Sequence, residues 1–379
     1  MPEAGVAVTP VTSARELRAF VALPHRLYEN DRDWVPPLRR DVRWVLDERR
    51  NPFWNHARRT LFLVRREGRV VGRVAAIVDR EHNRVHRDRT AFFGFFECED
   101  DPVAARALLG AAERAAGELL PGCDRLRGPV NPSLNYEAGA LVPVESEPGP
   151  PFVMMTYNPA YYLDLFVAAG FVKEKDLVAI LAPVDERSFH RLARLAAGVR
   201  KREKDLVVRH IRMDRFEDDV AILETIYNHA WQGNWGFVPM TSEEIGAMAR
   251  RFRAILHPPY VIFVLVEGTP VAFHLALPDV NQVLRRMDGS LFPFGWLTFL
   301  TQWRKIDRCR TLALGVVPAY RKRGIDALLY YEATKAAIRN GHKWAEFSWM
   351  LEDNLDILKP LRVFGGRVYR RYRLVAKAL

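Results

Sequence analysis

At 379 residues the chain exceeds the usual size of one hydrophobic core and suits two domains of roughly 180 residues. Its formal net charge is +11, but charges of both signs are interspersed and no nucleic-acid-binding motif occurs, so a nucleic-acid partner is not expected. No run approaches the ~18 apolar residues needed to span a bilayer, the N-terminal stretch lacks a signal-peptide apolar region, and Cys98, Cys123 and Cys309 show neither CxxC nor CxxH spacing; a cytoplasmic protein without disulfides or a metal site is expected.

In the first half, Arg65 to Val78 reads as two alternating apolar strands joined at Glu67-Gly68. A strand from Thr90 to Phe96 then enters Glu97-Cys98-Glu99-Asp100-Asp101 ahead of a helix starting near Val103, and four carboxylates in that loop disfavour a polyphosphate. Gly128 to Tyr136 forms a turn carrying Asn131, Ser133 and Asn135, either a binding loop for a neutral or cationic molecule or a rigid interdomain turn. Tyr157-Asn158-Pro159 opens an amphipathic helix closing at Gly170-Phe171.

A boundary is expected near Ala182 to Asp185, after which the order repeats. The loop Trp231 to Phe237, including Trp235, precedes a capping-box pattern at Thr241 to Glu244. Phe263 to Leu277 is a second hairpin around Glu267-Gly268, and Asp279 and Asn281 echo Asp79 and Asn83. Gly68 to Asn158 spans 90 residues (158 − 68) and Gly268 to Asn354 spans 86 (354 − 268). An insert, Asp279 to Arg310, holds an apolar helix between Ser290 and Trp303, read as packing against the other half or, alternatively, as lining an acceptor pocket or acyl channel.

Thr311 to Gly341 is the most informative stretch. A strand ends in Arg321-Lys322-Arg323-Gly324-Ile325-Asp326 and passes directly into a helix. Bare N–H groups at the helix start, a glycine and the positive end of the helix dipole together suit a pyrophosphate. A strand from Lys343 to Met350, an Asn354-led helix ending at Phe364-Gly365-Gly366, and a strand from Arg367 to Ala376 complete the order.

This loop and its context resemble the acyl-coenzyme A motif, Arg/Gln-x-x-Gly-x-Gly/Ala, of the GCN5-related N-acetyltransferase (GNAT) superfamily, with Arg321 and Gly324 in register and Asp326 departing from it. The resemblance implies an α/β fold of two tandem GNAT-like domains, 1–182 and 183–379. Each would be a mixed, mostly antiparallel twisted sheet flanked by helices, with splayed parallel central strands. Acetyl-CoA or another acyl-CoA would be the co-substrate and a small-molecule amine the acceptor, attacking directly. Leu314, Val316, Val317, Arg321, Lys322, Arg323, Gly324, Ile325, Asp326 and Asn354 would hold the coenzyme, and Asp326 is a candidate helix cap. The family's usual Tyr acid is replaced by Leu361. Tyr331 and Ser348 are candidate acids, and Asp279 and Glu346 candidate bases, with Glu346 and Ser348 sharing a strand face. Asn131, Ser133, Asn135, Trp235 and Asn281 are candidate acceptor contacts. A non-catalytic acyl-CoA-binding protein and an aminoacyl-transferring relative of the Fem type are the alternatives.

Overall fold

The computed structural model describes residues 5–203, 205–291 and 293–379, so Lys204 and Phe292 of the apolar insert lie outside the described residues. The first half runs β1 (Val6–Pro10), α1 (Ala14–Leu27), α2 (Arg39–Leu46), β2 (Ala57–Arg66), β3 (Arg69–Asp79), α3 (Arg80–His86), β4 (Thr90–Cys98), α4 (Pro102–Leu119), β5 (Arg125–Gly128), β6 (Val130–Asn131), β7 (Glu137–Ala138), β8 (Ala140–Leu141), α5 (Tyr162–Ala168) and β9 (Val172–Pro183). The second runs α6 (Glu186–Arg202), β10 (Leu206–His210), α7 (Phe216–Trp231), α8 (Ser242–Phe252), β11 (Val261–Val266), β12 (Thr269–Pro278), α9 (Asn281–Leu284), α10 (Gly295–Gln302), β13 (Arg308–Val316), α11 (Ile325–Arg339), β14 (Trp344–Leu351), α12 (Leu355–Val363) and β15 (Arg367–Ala378).

Two compact units emerge. One comprises residues 1–177, 284–296 and 370–379; the other comprises 178–283 and 297–369. The division therefore falls inside β9, between Leu177 and Val178, and the last ten residues join the first unit. In that unit the strand order is β1-β2-β3-β4-β5-β15, antiparallel except for parallel β4–β5, with β5 held by Val375 to Ala378. In the second unit the order is β9-β14-β13-β12-β11-β10, and β13–β14 is parallel.

Local chemistry accounts for the repeated hairpins. Glu67-Gly68 and Glu267-Gly268 all have positive φ, the conformation of a two-residue turn whose twist matches the flanking strands. Each hairpin carries a register shift at the same offset, Val64/Arg65 and Val264/Leu265. The predicted capping box forms at Thr241, whose hydroxyl accepts from Glu244 N–H while Glu244 accepts in return.

In the second unit β11 is apolar throughout because both its faces are buried. Ile262 and Val264 pack with Val199, Ile325, Leu328 and Leu329, whereas Val261 and Phe263 pack with Ile226, Ile245 and Phe273. The first unit packs Val74, Ala76, Phe93 and Phe96 under Leu108, Leu109, Ala112 and Phe166.

Buried histidines give each unit an acid-labile element. Desolvation pushes His274 and His342 in the second unit, and His25 in the first, down to about 4. The folded protein keeps these rings neutral while the unfolded chain protonates near 6.5, so their contribution is present above that value and lost as pH falls toward 4. The unfolding midpoint is expected to fall steeply from pH 6.5 to 4, and His274→Gln to flatten the profile; an unchanged profile in thermal scans would contradict the assignment.

Candidate active site

The central strands of the second unit part. β13 and β14 pair from Arg308↔Trp344 to Thr311↔Phe347 and no further, although β13 runs on to Val316 and β14 to Leu351. On its other edge β13 stays paired to β12 as far as Val316↔Ala272, with a shift that skips Leu312 between Thr311 and Ala313. Beyond Thr311 the β14-facing edge of β13 therefore borders a wedge-shaped gap, the splay that the resemblance implied. Alternation distributes its walls: Leu314, Val316 and Val317 pack with the α11 core, while Gly315 lies under Trp231 of α7. A Cβ at Gly315 would come within 2.6 Å of the Trp231 ring.

The cationic loop follows immediately. After a 3-10 turn, Pro318–Tyr320, Lys322 has φ 62° and Gly324 φ 84°, and Gly324 is the N-cap of α11. A side chain there would be strained in the left-handed region and would meet Val199 at 3.0 Å. Ile325 is fully buried and anchors the turn. No side chain caps this helix, so its first N–H groups keep no acceptor within the helix. Asp326 is thus not the cap: it sits inside the first turn because the left-handed Gly324 starts the helix before it. Arg321 Nη2 donates to the Ala230 carbonyl at 2.6 Å and its Nε to Val316 at 3.3 Å, which fastens the loop to α7 and β13. Arg323 lies over the Tyr320 ring at 4.6 Å and 3.4 Å from Glu203. Lys322 is exposed and forms no ion pair among the described residues.

At the apex of the gap a buried polar cluster occupies the α7 side of the sheet. Arg310 and Glu346 are register partners 3.5 Å apart. Arg310 Nε donates to the Ser348 hydroxyl at 2.8 Å, Ser348 donates to Glu346 Oε1, and the Tyr369 hydroxyl donates to Glu346 Oε2. Glu346 and Ser348 do share a face, and both are buried. Sequence reading did not single out Arg310, Tyr369 or His274, whose Nε2 lies 3.0 Å from the Thr311 hydroxyl on the opposite face. A charged residue inside an apolar strand pattern was the available signal for Arg310.

The remaining candidates are dispersed. Asp279 is buried opposite Arg308, its N–H donating to the Arg308 carbonyl, so it lies at the start of β13, roughly 26 Å along the strand from Val316; Asn281, which opens α9, follows it there. Tyr331 stacks on Phe189 at 5.2 Å, within the packing between α6 and α11. Trp235 is in the loop after α7, whose Ala230 and Trp231 do reach the site. Asn354 precedes α12 and makes no side-chain cap, its carbonyl instead accepting from Leu358.

In the first unit the equivalent places are filled by the protein itself. Asp101 caps α4, accepting from Val103 and Ala104 at 3.1 Å, and pairs with Arg66 at 2.6 Å, so the anion at this helix end belongs to the chain. Glu99 takes both Arg69 nitrogens, and Glu97 accepts from Tyr28 and Tyr162. The strands do not part freely either: a Cβ at Gly94 would lie 1.6 Å from the Val130 carbonyl, and Asn131 Oδ1 accepts from Phe95 N–H at 2.6 Å. Asn131 plugs the gap, Ser133 accepts from Asn135 N–H within the turn, and Asn158 clamps Leu141 rather than opening a helix, which begins only at Tyr162. Asn131→Ala should therefore lower stability by about 1–3 kcal/mol by leaving a buried N–H unmet. Urea unfolding measures this, and a change under 0.5 kcal/mol, taken as about the limit for an inconsequential surface change, would rule out the plug.

A mixed sheet whose central strands part beside a glycine-opened loop, joined in sequence to another unit of the same strand order whose corresponding helix is capped by Asp101, has the architecture of the tandem GNAT fold, and solved structures carry it too. The tandem GNAT protein from the clavulanic acid biosynthesis pathway superposes with a TM-score of 0.57 at 15% identity, covering 98% of both chains. A GCN5-related N-acetyltransferase from Sphaerobacter thermophilus gives 0.53 at 12% identity, covering 100% of this chain and 97% of its own. No family profile matches. Among curated proteins, Protein YghO of Escherichia coli (strain K12) is 33% identical over 373 residues, covering 96% of this chain and 93% of its own. The bacterial ceramide synthase of Caulobacter vibrioides is 33% identical over 393 aligned positions, covering 99% and 98%. The chain belongs to the family of these two bacterial proteins, within the tandem GNAT fold.

Proposed function

We propose that the C-terminal half, read as 183–379, transfers an acyl group from an acyl-CoA thioester to an amine, and that the first half, 1–182, has no coenzyme site of its own. The observation that carries this is the continuity of the strand whose pairing ends at Thr311 with a loop whose Gly324 opens α11 uncapped. Those residues fit a coenzyme: the N–H groups at the start of α11, with Lys322 beside them, suit a pyrophosphate, and the free edge of β13 suits an extended amide arm. An N–H on that edge polarises the thioester carbonyl. The amine enters from the α7 side, past Trp231, where the relay Ser348–Glu346–Tyr369 receives its proton as the C–N bond forms; the C–S bond then breaks and that proton passes to the departing thiolate, which leaves as free coenzyme A.

The kinship to a ceramide synthase suggests a long-chain amine as acceptor and a long acyl group, and we place the reaction in the cytoplasm, where acyl-CoA is made. A small cavity of about 40 Å³ lies near the apex on the α11 side, lined by Ala276, Ala333, Ala337 and Phe347 together with Thr311 and His274. Free-thiol release by the full chain tests the reading, with acetyl-CoA or palmitoyl-CoA offered against sphinganine, a polyamine and an amino acid. Release with palmitoyl-CoA and sphinganine is expected. Preference for acetyl-CoA and a small amine would restrict the activity to short substrates; coenzyme binding without release would mark a non-catalytic binder, and no binding at all would defeat the proposal.

A further inference from the structure

Within the insert Val280, Val283, Met287 and Ile306 are buried, but α10 and the residue before it are not. None of the eight residues of α10 is buried, none is charged, and the segment exposes Phe294 by 72%, Trp296 by 48%, Leu297 by 47% and Leu300 by 64%. The expected packing against the other half holds for the start of the insert, where residues 284–296 group with the first unit and Arg39 N–H donates to the Gly289 carbonyl, but does not extend to α10. A short helix with large apolar and aromatic side chains turned to solvent is what an interfacial membrane segment requires.

The surroundings name the partner. Arg285 and Arg286 precede the segment and Arg304 and Lys305 follow it, all four exposed, so its two ends carry cations while its centre carries none. Tryptophan and phenylalanine between flanking cations suit the headgroup level of a bilayer, and the positive ends favour anionic lipid. The same stretch supplies Arg285 and Asp288 to an open cleft of the first unit, where Arg32, Arg39 and His25 lie with Glu29 and Asp31, and Asp288 is 3.9 Å from His25. There Arg39 Nε and His25 Nδ1 are buried without a hydrogen-bond partner among the described residues, and Arg39 Nε is a donor suited to a phosphate.

We propose that Pro293 to Lys305 seats the protein on an anionic phospholipid bilayer, with Phe294, Trp296, Leu297 and Leu300 entering the interface and the flanking cations meeting lipid phosphates. This holds whichever amine is acylated, because it concerns binding alone.

Vesicle co-sedimentation of the full chain decides it. The parent should bind vesicles of phosphatidylcholine with phosphatidylglycerol, and bind less as salt rises. Trp296→Glu with Leu300→Glu should reduce partitioning at least about tenfold, and Arg304→Glu with Lys305→Glu should abolish the preference for phosphatidylglycerol. Circular dichroism checks that both variants fold, as expected for exposed positions. Equal binding by the apolar double variant would overturn the proposal, as would failure of the parent to bind. So would a concentration-dependent dimer in sedimentation velocity that the same variant dissolves, since a second copy would then be what covers this face. Free inorganic phosphate that protects the Arg39 cleft without any vesicle binding would assign the cleft to a soluble ligand and also count against lipid docking.

Discussion

Arg310→Met is expected to lower the stability of the protein by about 3–5 kcal/mol, the usual result of removing one member of a buried ion pair and stranding the other. Glu346 is completely buried at the apex of the gap, and its carboxylate has Arg310, Ser348 and Tyr369 as partners. Arg310→Met with Glu346→Leu should recover much of the loss, because no charge is then left unpaired, and the double-mutant cycle should show strong coupling. Additive losses in urea unfolding would mean the pair is not energetically linked. Ser348→Ala separates folding from chemistry. It removes one hydroxyl, costing about 1 kcal/mol, but if Ser348 relays the amine's proton, turnover should drop by about 10²-fold or more with little change in coenzyme affinity.

Lys322→Glu with Arg323→Glu is expected to weaken acyl-CoA binding at least about tenfold, since charge-assisted phosphate contacts contribute about 1.5–3 kcal/mol each. Arg321 is the family-matching cation but is the wrong choice for this test, because it fastens the loop to Ala230 and Val316 and its loss would distort the cradle itself. Asp101→Ala provides the contrast. It removes the cap of α4 in the first unit, costing about 1 kcal/mol of stability, and should leave coenzyme affinity untouched. Calorimetry on the full chain should give one site per chain. A stoichiometry near two, or unaltered affinity in the loop variant, would refute the one-site assignment.

Features specified within a few residues were readable in advance. Glu67-Gly68 and Glu267-Gly268 encode their turns in their own backbone preferences, Thr241 and Glu244 encode a capping box, and Gly324 encodes the turn that opens α11 directly after the strand. Features that depend on register or on distant partners were not. Asp279 looked well placed at the end of a hairpin, but strand pairing sets it beside Arg308, at the far end of β13 from the gap. Asn131 looked like a ligand contact, and only the approach of β4 to β6 shows its amide oxygen meeting Phe95. Asp326 looked like a cap, and one left-handed glycine moved the helix start past it. The insert was half legible for a different reason: residues 284–296 do join the first unit, but an apolar pattern states that a face avoids water and is silent about what covers it, so the exposure of α10 was not.

The place of β15 has a consequence for how the molecule is made. Residues Val375 to Ala378 close the edge of β5, and Arg371 and Arg373 hold Asp176 at 2.8–3.2 Å, so the first unit depends on a stretch of chain made long after β5 itself. During synthesis the amino-terminal unit must wait with a bare strand edge while some 240 further residues emerge, counting from Gly128 to Arg370 (370 − 128 = 242), an interval of roughly 10–50 s at ordinary elongation rates. Removing Val375 to Ala378 should thus injure the unit built from residues more than two hundred positions earlier.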